Sequence, residues 1–474
     1  MASSAGNAAS HYQKMTATPV PKLVARLAVP AIVSMLVTNI YNLVDTAFVG
    51  RLGTSASGAV GIVFGFMSIL QAFGFMYGQG AGSILARSLG QQDLPKASRH
   101  ATLGFLGSFL TGALISVLGF LFLDPVVFAL GSTPTIAPYA KSYIFYILIS
   151  APFMCASLTL NNLLRYEGKA ALGMIGLMVG AFLNMGGDPI FMFALGMGID
   201  GAGLSTAISQ VVSFCILLWM FLSGKTSSRL GLSYLTKTGG SPETVLPARE
   251  KASGPAGANF PAFCAICFTG LPSLLRQGLN SISTVILNLC CAPFGDAAVA
   301  AMSIVSRIVF FAVSMAIGVG QGFQPVAAFS YGAGKFGRLR KAYRFTVLLS
   351  FGIIAAAALI LGIFAEPLVG IFRDDPEVIR IGVRALRLQA AGQLAMAACM
   401  PSEMLFQSTG QRFFASLISI LRNGLIFIPL LLLLSGLRGL AGIQEAQPLS
   451  MLIAVPVTIP FVVLFLRKIP KTDV

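Results

Sequence analysis

Charge is what this chain has least of. Only 10% of its 474 residues are Asp, Glu, Lys or Arg, against about 25% in an ordinary soluble domain. A globule of this length could not cover itself for water with so little. Histidine is almost missing as well: His11 and His100 are the only two, and neither lies deep in an apolar run. That excludes an embedded histidine relay. The seven cysteines (Cys155, Cys215, Cys264, Cys267, Cys290, Cys291 and Cys399) are odd in number and scattered through apolar sequence, which excludes a disulfide framework. Cys264 and Cys267 have redox or metal spacing, but with no second pair they read as apolar helix residues. No phosphate-binding Gly-x-x-x-x-Gly-Lys-Ser/Thr occurs. Gly168-Lys169, Gly224-Lys225 and Gly334-Lys335 all lack the rest of it, so an ATP-driven pump is not expected. Metal-dependent prenyl transfer needs paired acids within one loop, whereas Asp45 and Asp188 each stand alone in their segments. An enzyme, a resident metal and an organic cofactor are therefore not expected.

Apolar residues fill the space that charge leaves. Hydrophobic residues make up 56% of the chain and the mean hydropathy is +0.83. Uncharged runs of about 20 residues recur, the length a helix needs to cross a hydrocarbon core of ~30 Å. Strands of a barrel would instead alternate every second residue. The runs predict spans near residues 27–49, 57–81, 101–123, 140–164, 172–196 and 201–222, then 262–291, 298–322, 345–365, 383–407, 414–435 and 447–466. The fold class is thus all-α integral membrane, with twelve transmembrane helices in two pseudo-symmetric six-helix lobes. The boundaries are a tail over 1–26, an N-lobe over 27–222, a linker over 223–261, a C-lobe over 262–466 and a tail over 467–474. The linker is rich in Gly, Ser, Pro, Lys and Arg and is expected to be flexible and solvated.

The formal charge of +16 reads as topology. Met1 to Tyr12 are small and polar with no apolar core, so a cytoplasmic N-terminus is expected rather than a cleavable leader. On that orientation 23 basic residues, Arg422 among them, fall in inner segments or the inward parts of spans, 7 in outer segments or the outward parts of spans and 2 (Arg276 and Arg307) mid-span, together the 32 present. Such an inward bias is the positive-inside pattern. It places both termini in the cytoplasm of a multi-pass cell-membrane protein and argues against a nucleic-acid partner.

The halves repeat. Shifted by 242 residues, Pro30 meets Pro272, Ile40 meets Ile282, Gly53 meets Gly295 and Ala56 meets Ala298. The triplet Gly78-Gln79-Gly80 meets Gly320-Gln321-Gly322, and Gly168 meets Gly410. Six spans per half give both repeats the same orientation, an arrangement suited to alternating access. Gln79 and Gln321 become candidates for a cleft between the lobes.

Few acids are embedded, and these carry the functional reading. A carboxylate at the centre of a membrane helix costs roughly 2.5–3.5 kcal/mol on insertion scales. Asp45, Asp188 and Glu403 alone fall inside spans. Tyr41 lies four residues before Asp45 and Asn184 four before Asp188, so each shares its acid's helix face. Pro189 frees the carbonyl one turn back. Such a set could bind and release protons or coordinate Na⁺ through its oxygens. The plainer alternative is that Asp188-Pro189 shapes a helix end and Asp45 reaches an interface. Glu403 stands where the first half has Asn161; it is a cleft candidate that could equally snorkel to water. Arg276 and Arg307 read as packing residues.

With these residues in hand, the chain resembles the multidrug and toxic compound extrusion (MATE) family, nearest to its DinF-like and MepA-like branch. The resemblance rests on Pro30-Ala31, Asn42-Leu43-Val44-Asp45-Thr46-Ala47-Phe48-Val49-Gly50, Gly78-Gln79-Gly80 with Ser88-Leu89-Gly90, Asn161-Asn162-Leu163-Leu164-Arg165, Asn184 with Asp188-Pro189-Ile190-Phe191, and Gly201-Ala202-Gly203-Leu204-Ser205-Thr206. It implies a monomeric secondary antiporter that exports small organic compounds against inward H⁺ or Na⁺ in a lipid bilayer. The implied ion site is Asp45, Asn184, Asp188 and Thr206, with Tyr41 and Asn161 nearby, and Na⁺ would sit at Asp45, Asp188 and Asn184. Where the NorM-like branch carries a glutamate in the seventh span, this chain has Asn280, which leaves Asn280 a cleft candidate and a second ion site unsupported. The competing expectation is a translocase of a lipid-linked sugar or metabolite.

Overall fold

The computed structural model describes residues 2–236, 259–373, 375–470 and 473. Most of the expected linker, 237–258, lies outside them. All regular structure among the described residues is helical. This follows from solvent: inside a bilayer every backbone N–H and C=O must be satisfied within its own segment.

A short helix, α1 (Ala2–Ala17), leads into α2 (Val20–Gly50), α3 (Thr54–Gly90), α4 (Leu94–Leu121), α5 (Leu123–Ala129), α6 (Ala137–Tyr166), α7 (Ala170–Pro189) and α8 (Ile199–Leu222). One turn, α9 (Ser233–Thr236), precedes the second series. This comprises α10 (Asn259–Cys291), α11 (Asp296–Gly332), α12 (Phe336–Ile363), α13 (Ala365–Phe372), α14 (Pro376–Gln393), α15 (Met396–Thr409), α16 (Arg412–Ile420) and α17 (Phe427–Lys468). Among the described residues, ten helical stretches are long and apolar enough to cross a membrane as they stand. Two further spans complete the twelve. One is the broken pair α14–α15. The other emerges because the 57-residue stretch Arg412–Lys468 is broken inside α17 at Gly439, whose φ of 58° and ψ of −136° interrupt the helix and leave one helix on either side. The chain is a multi-pass membrane protein.

Packing does not follow the two halves of the sequence. One compact unit comprises Met1–Thr18, Val37–Leu274 and Ala328–Ala333; the other comprises Pro19–Leu36, Leu275–Ala327 and Gly334–Val474. Helices α2 and α10 each give one half to each unit. Both carry an internal proline, Pro30 and Pro272, which removes a hydrogen bond and weakens the helix near the division.

Within unit 1, α6 is the central element, and Tyr143, Ile144, Ile147, Leu148, Leu160, Leu163 and Leu164 are essentially inaccessible. Neighbouring helices approach it through small residues. A Cβ at Gly74 would lie 2.9 Å from Leu158, and one at Gly112 would lie 2.7 Å from the Pro152 backbone. At one end Glu167 is fully buried. Its carboxylate accepts from the Ser227 and Ser228 amides, both at 2.9 Å, and from the Ser228 hydroxyl. Arg229 and Gly231 amides donate to Ser98 and Thr102 at 3.0 and 3.3 Å. The first part of the expected flexible linker, Ser223–Thr236, is therefore folded, held by a carboxylate that consumes its backbone donors. At the same end His11 Nε2 lies 2.7 Å from the Glu167 carbonyl oxygen, and the rings of His11 and Tyr12 rest on Phe329.

Within unit 2, the first half of α2 packs on α11. A Cβ at Gly318 would lie 2.7 Å from the Ile32 backbone, and one at Gly322 would lie 2.5 Å from Ala28 N. Helix α15 is enclosed along its length, and Gln324 Nε2 reaches Gln407 Oε1 at 3.1 Å.

Candidate functional site: an acid cluster in unit 1

Three helices bring their polar residues together in unit 1. Asn184 and Asp188, one turn apart near the end of α7, meet Ser205 and Thr206 on α8. Asn184 Nδ2 lies 3.2 Å from Asp188 Oδ1, 3.2 Å from Thr206 Oγ1 and 3.4 Å from Ser205 Oγ. The Ser205 hydroxyl donates to the Asn184 carbonyl at 3.2 Å. One amide group thus organises both helices. Asp188 is fully buried and Asn184 and Thr206 nearly so. The helix loosens directly after Asp188-Pro189 into a π-turn over Ile190–Ala194, a local widening common beside functional groups.

From α2, Asp45 interacts with Asp188 side chain to side chain. Tyr41, one turn earlier, neighbours both acids. Three acceptor oxygens in this cluster, Asp45 Oδ1, Asp188 Oδ2 and Asn184 Oδ1, are buried and accept no hydrogen bond from the protein. A buried acceptor without a donor costs about 1–3 kcal/mol, more when charged. Two neighbouring carboxylates with buried, unsatisfied oxygens therefore need a cation for charge balance, either a proton or a hard metal ion suited to oxygen ligands. The unsatisfied oxygens fit either.

Two members of the cluster are not among the sequence candidates. Ser205 adjoins Thr206 in the Gly-Leu-Ser-Thr stretch, so its signal was present. Tyr143 on α6 lies against Thr206, with Asp45, Asp188 and Tyr41 around it; nothing in its local sequence points to that position. Of the remaining candidates, Asn161 lies apart. It packs where a Cβ on Gly173 would fall 2.7 Å from its amide, and Gly173 is three turns, ~16 Å, from Asn184 along α7. Gln79 is inaccessible and accepts from Ser273 Oγ at 2.6 Å, as a helix-packing residue would. Gln321 is likewise buried, whereas Asn280 is exposed.

Glu403 behaves differently from the snorkelling expectation. Its side chain is inaccessible and Arg276 Nη1 donates to Oε1 at 2.9 Å. Arg422 Nη2 stands 3.7 Å from Oε2. Arg422, counted from sequence among the inner-segment charges, is 4% exposed and sits in a π-turn over Leu421–Leu425. Arg276 is accordingly an ion-pair residue, and this acid belongs to unit 2, not to the cluster around Asp45.

Comparison with known proteins agrees with this architecture. The MatE family model matches twice, over residues 30–190 and 272–433, start positions separated by the same 242 residues as the internal repeat. The multidrug export protein MepA of Staphylococcus aureus is 27% identical over 431 residues, covering 90% of this chain and 90% of that protein. The MepA protein of Staphylococcus saprophyticus is 26% identical over 417 residues, covering 88% and 87%. Among solved structures, an outward-facing multidrug resistance MATE family transporter superposes with a TM-score of 0.87 at 23% identity, covering 97% of this chain and 98% of that one. A MOP superfamily transporter from Pyrococcus furiosus, whose binding pocket is described as of reverse polarity, gives 0.87 at 24%, covering 97% and 99%. A family match to both halves, on a twelve-span helical fold, establishes that the chain belongs to the MatE (multidrug and toxic compound extrusion) family.

Proposed function

We propose that this protein is a secondary antiporter of the cell membrane, exporting amphipathic organic compounds against inward H⁺ or Na⁺, with both termini in the cytoplasm. The observation that carries the reading is the trio of unsatisfied buried oxygens on Asp45, Asp188 and Asn184. A cation bound there neutralises a site that is otherwise electrostatically unstable. Its arrival and departure would favour different arrangements of α2, α7 and α8, and by linkage different affinities for substrate. Tyr41, Tyr143 and Thr206 would orient the carboxyl groups. Alternating access between two lobes then converts ion entry into export. The printed names of the staphylococcal relatives, multidrug export proteins, support the substrate class. The inward bias of basic residues supports the orientation.

The test is flux in proteoliposomes with H⁺ and Na⁺ gradients imposed separately. Wild type should accumulate a cationic dye under one gradient. Asp45→Asn, which keeps size and removes the charge, should abolish coupled transport while remaining in the membrane. Gradient-driven flux that survives the substitution would refute the site.

A further inference from the structure

Unit 2 holds a cluster whose charges do not cancel. Glu403 is the only acid paired with either Arg276 or Arg422 among the described residues, so two guanidiniums share one carboxylate. Ser419 also donates to Glu403 Oε1, at 2.8 Å. A buried carboxylate needs one cation for balance; the second guanidinium leaves the cluster one positive charge in excess. Leaving a buried charge uncompensated is strongly unfavourable, and one arginine would suffice if the only task were to hold α10, α15 and α16 together.

The hydrogen-bond inventory locates the excess. A guanidinium has five N–H donors. Arg422 directs Nε to Asn423 Oδ1 at 3.3 Å and Nη2 loosely towards Glu403. Its Nη1 is buried and has no partner. Glu403 Oε2 likewise lacks a hydrogen-bond partner, so this carboxylate leaves Arg422 incompletely used. Arg276 provides the open side. Its side chain is 18% exposed, and Asn280, one turn further along α10, is exposed on the same face. Planar guanidiniums suit anionic oxygens through paired N–H contacts.

We infer that Arg276 and Arg422, with Glu403 between them, form an anion subsite that takes the carboxylate of a zwitterionic or anionic amphiphile. This is a substrate class opposite in charge to the one that the Asp45 cluster would attract. The inference rests on the export reading above and deepens it. In this arrangement Glu403 competes with the substrate carboxylate for the two arginines. That competition separates the subsite from a purely structural ion triad, in which removing any member only weakens the fold.

The experiment measures equilibrium binding by fluorescence anisotropy of the full chain in phosphatidylcholine nanodiscs, with rhodamine B, which bears a free carboxylate, and with its ethyl ester. Wild type should prefer the acid. Arg276→Gln should weaken rhodamine B by about tenfold, the scale of a hydrogen bond to a charged group, and leave the ester unchanged, with Arg276→Lys intermediate. Glu403→Gln, which frees both guanidiniums, should tighten rhodamine B and leave the ester unchanged. Equal loss of both dyes in all three variants would overturn the subsite and make the triad structural. Absence of any acid preference, with the ester still bound by wild type, would overturn it while leaving the export reading intact. Failure of wild type to bind either dye would sink both. Adding phosphatidylglycerol should not change the rhodamine B affinity; strong competition by that lipid would assign the arginines to a headgroup instead and overturn the proposal.

Discussion

Replacing Gly80 by alanine should destabilise this protein, although alanine is the better helix former. A Cβ at Gly80 on α3 would sit 2.2 Å from the Ile266 carbonyl oxygen of α10, and one at Gly270 on α10 would sit 1.9 Å from the Met76 carbonyl oxygen of α3. Real Cβ contacts essentially never fall below 3.0 Å. Backbone stands on both sides, so no side chain can swing away, and the helices must part by about 1 Å in a packed interior. Overpacking of that kind costs about 1–3 kcal/mol, which exceeds the gain of up to ~1 kcal/mol in helix propensity. Gly65 on the same helix is the control, because nothing lies within 4 Å of its Cβ position. Gly65→Ala should therefore stabilise by about 0.5–1 kcal/mol. Thermal unfolding in detergent, followed by size-exclusion fluorescence, should place Gly80→Ala below wild type and Gly65→Ala above it. The double variant Gly80→Ala/Gly270→Ala should lose less than the sum of the singles, since one separation relieves both clashes. A Gly80→Ala midpoint at or above that of Gly65→Ala would show that α3 and α10 do not cross so closely.

Two further outcomes are expected. Gln92 is the one non-glycine with positive φ among the described residues, at 61°, and its repeat partner Gly334 has 68°; Gln92→Gly should raise the unfolding midpoint, since a left-handed backbone costs an L-residue roughly 1–2 kcal/mol. Burial lowers the pKa of His11 below 6.5, with the nearby Glu167 carboxylate opposing the shift. The docked residue thus resists a proton that the undocked one takes at its ordinary pKa of 6.5. Docking of α1 should be complete above that pH and weaken as pH falls below it. Spin-label distances between Ser10 and Ser223 should lengthen on acidification, and His11→Gln should remove the dependence.

The spans, the repeat and the acids were legible because each depends on local composition. Twenty apolar residues announce a helix, and a lone Asp within them is conspicuous. What was hidden depends on partners remote in sequence. Arg422 counts from sequence with the inward basic charges until the π-turn at Leu421–Leu425 and the position of Glu403 show it enclosed. Glu167 looks like an ordinary loop acid, yet it orders Ser227 and Ser228. Tyr143 joins the acid cluster only because α6 passes behind α8. The division of α2 and α10 between units also escapes a reading by halves, since hydropathy reports that a segment is buried and not against what.

The left-handed residues recur as the spans do. Gly53 and Gly295, Gly168 and Gly410, and Gln92 and Gly334 are repeat-related pairs with positive φ, and Gly198 and Gly439 match one residue out of register. The interiors between them have parted company: in the repeat alignment Asp45 and Asp188 correspond to leucines at 287 and 430, while Arg276 and Arg422 correspond to Ser34 and Gly180. A duplicated ancestor would thus have kept its corners and rewritten its walls. Loss of handedness at a corner misdirects every helix beyond it, whereas a side chain changed mid-wall alters only what that wall can hold.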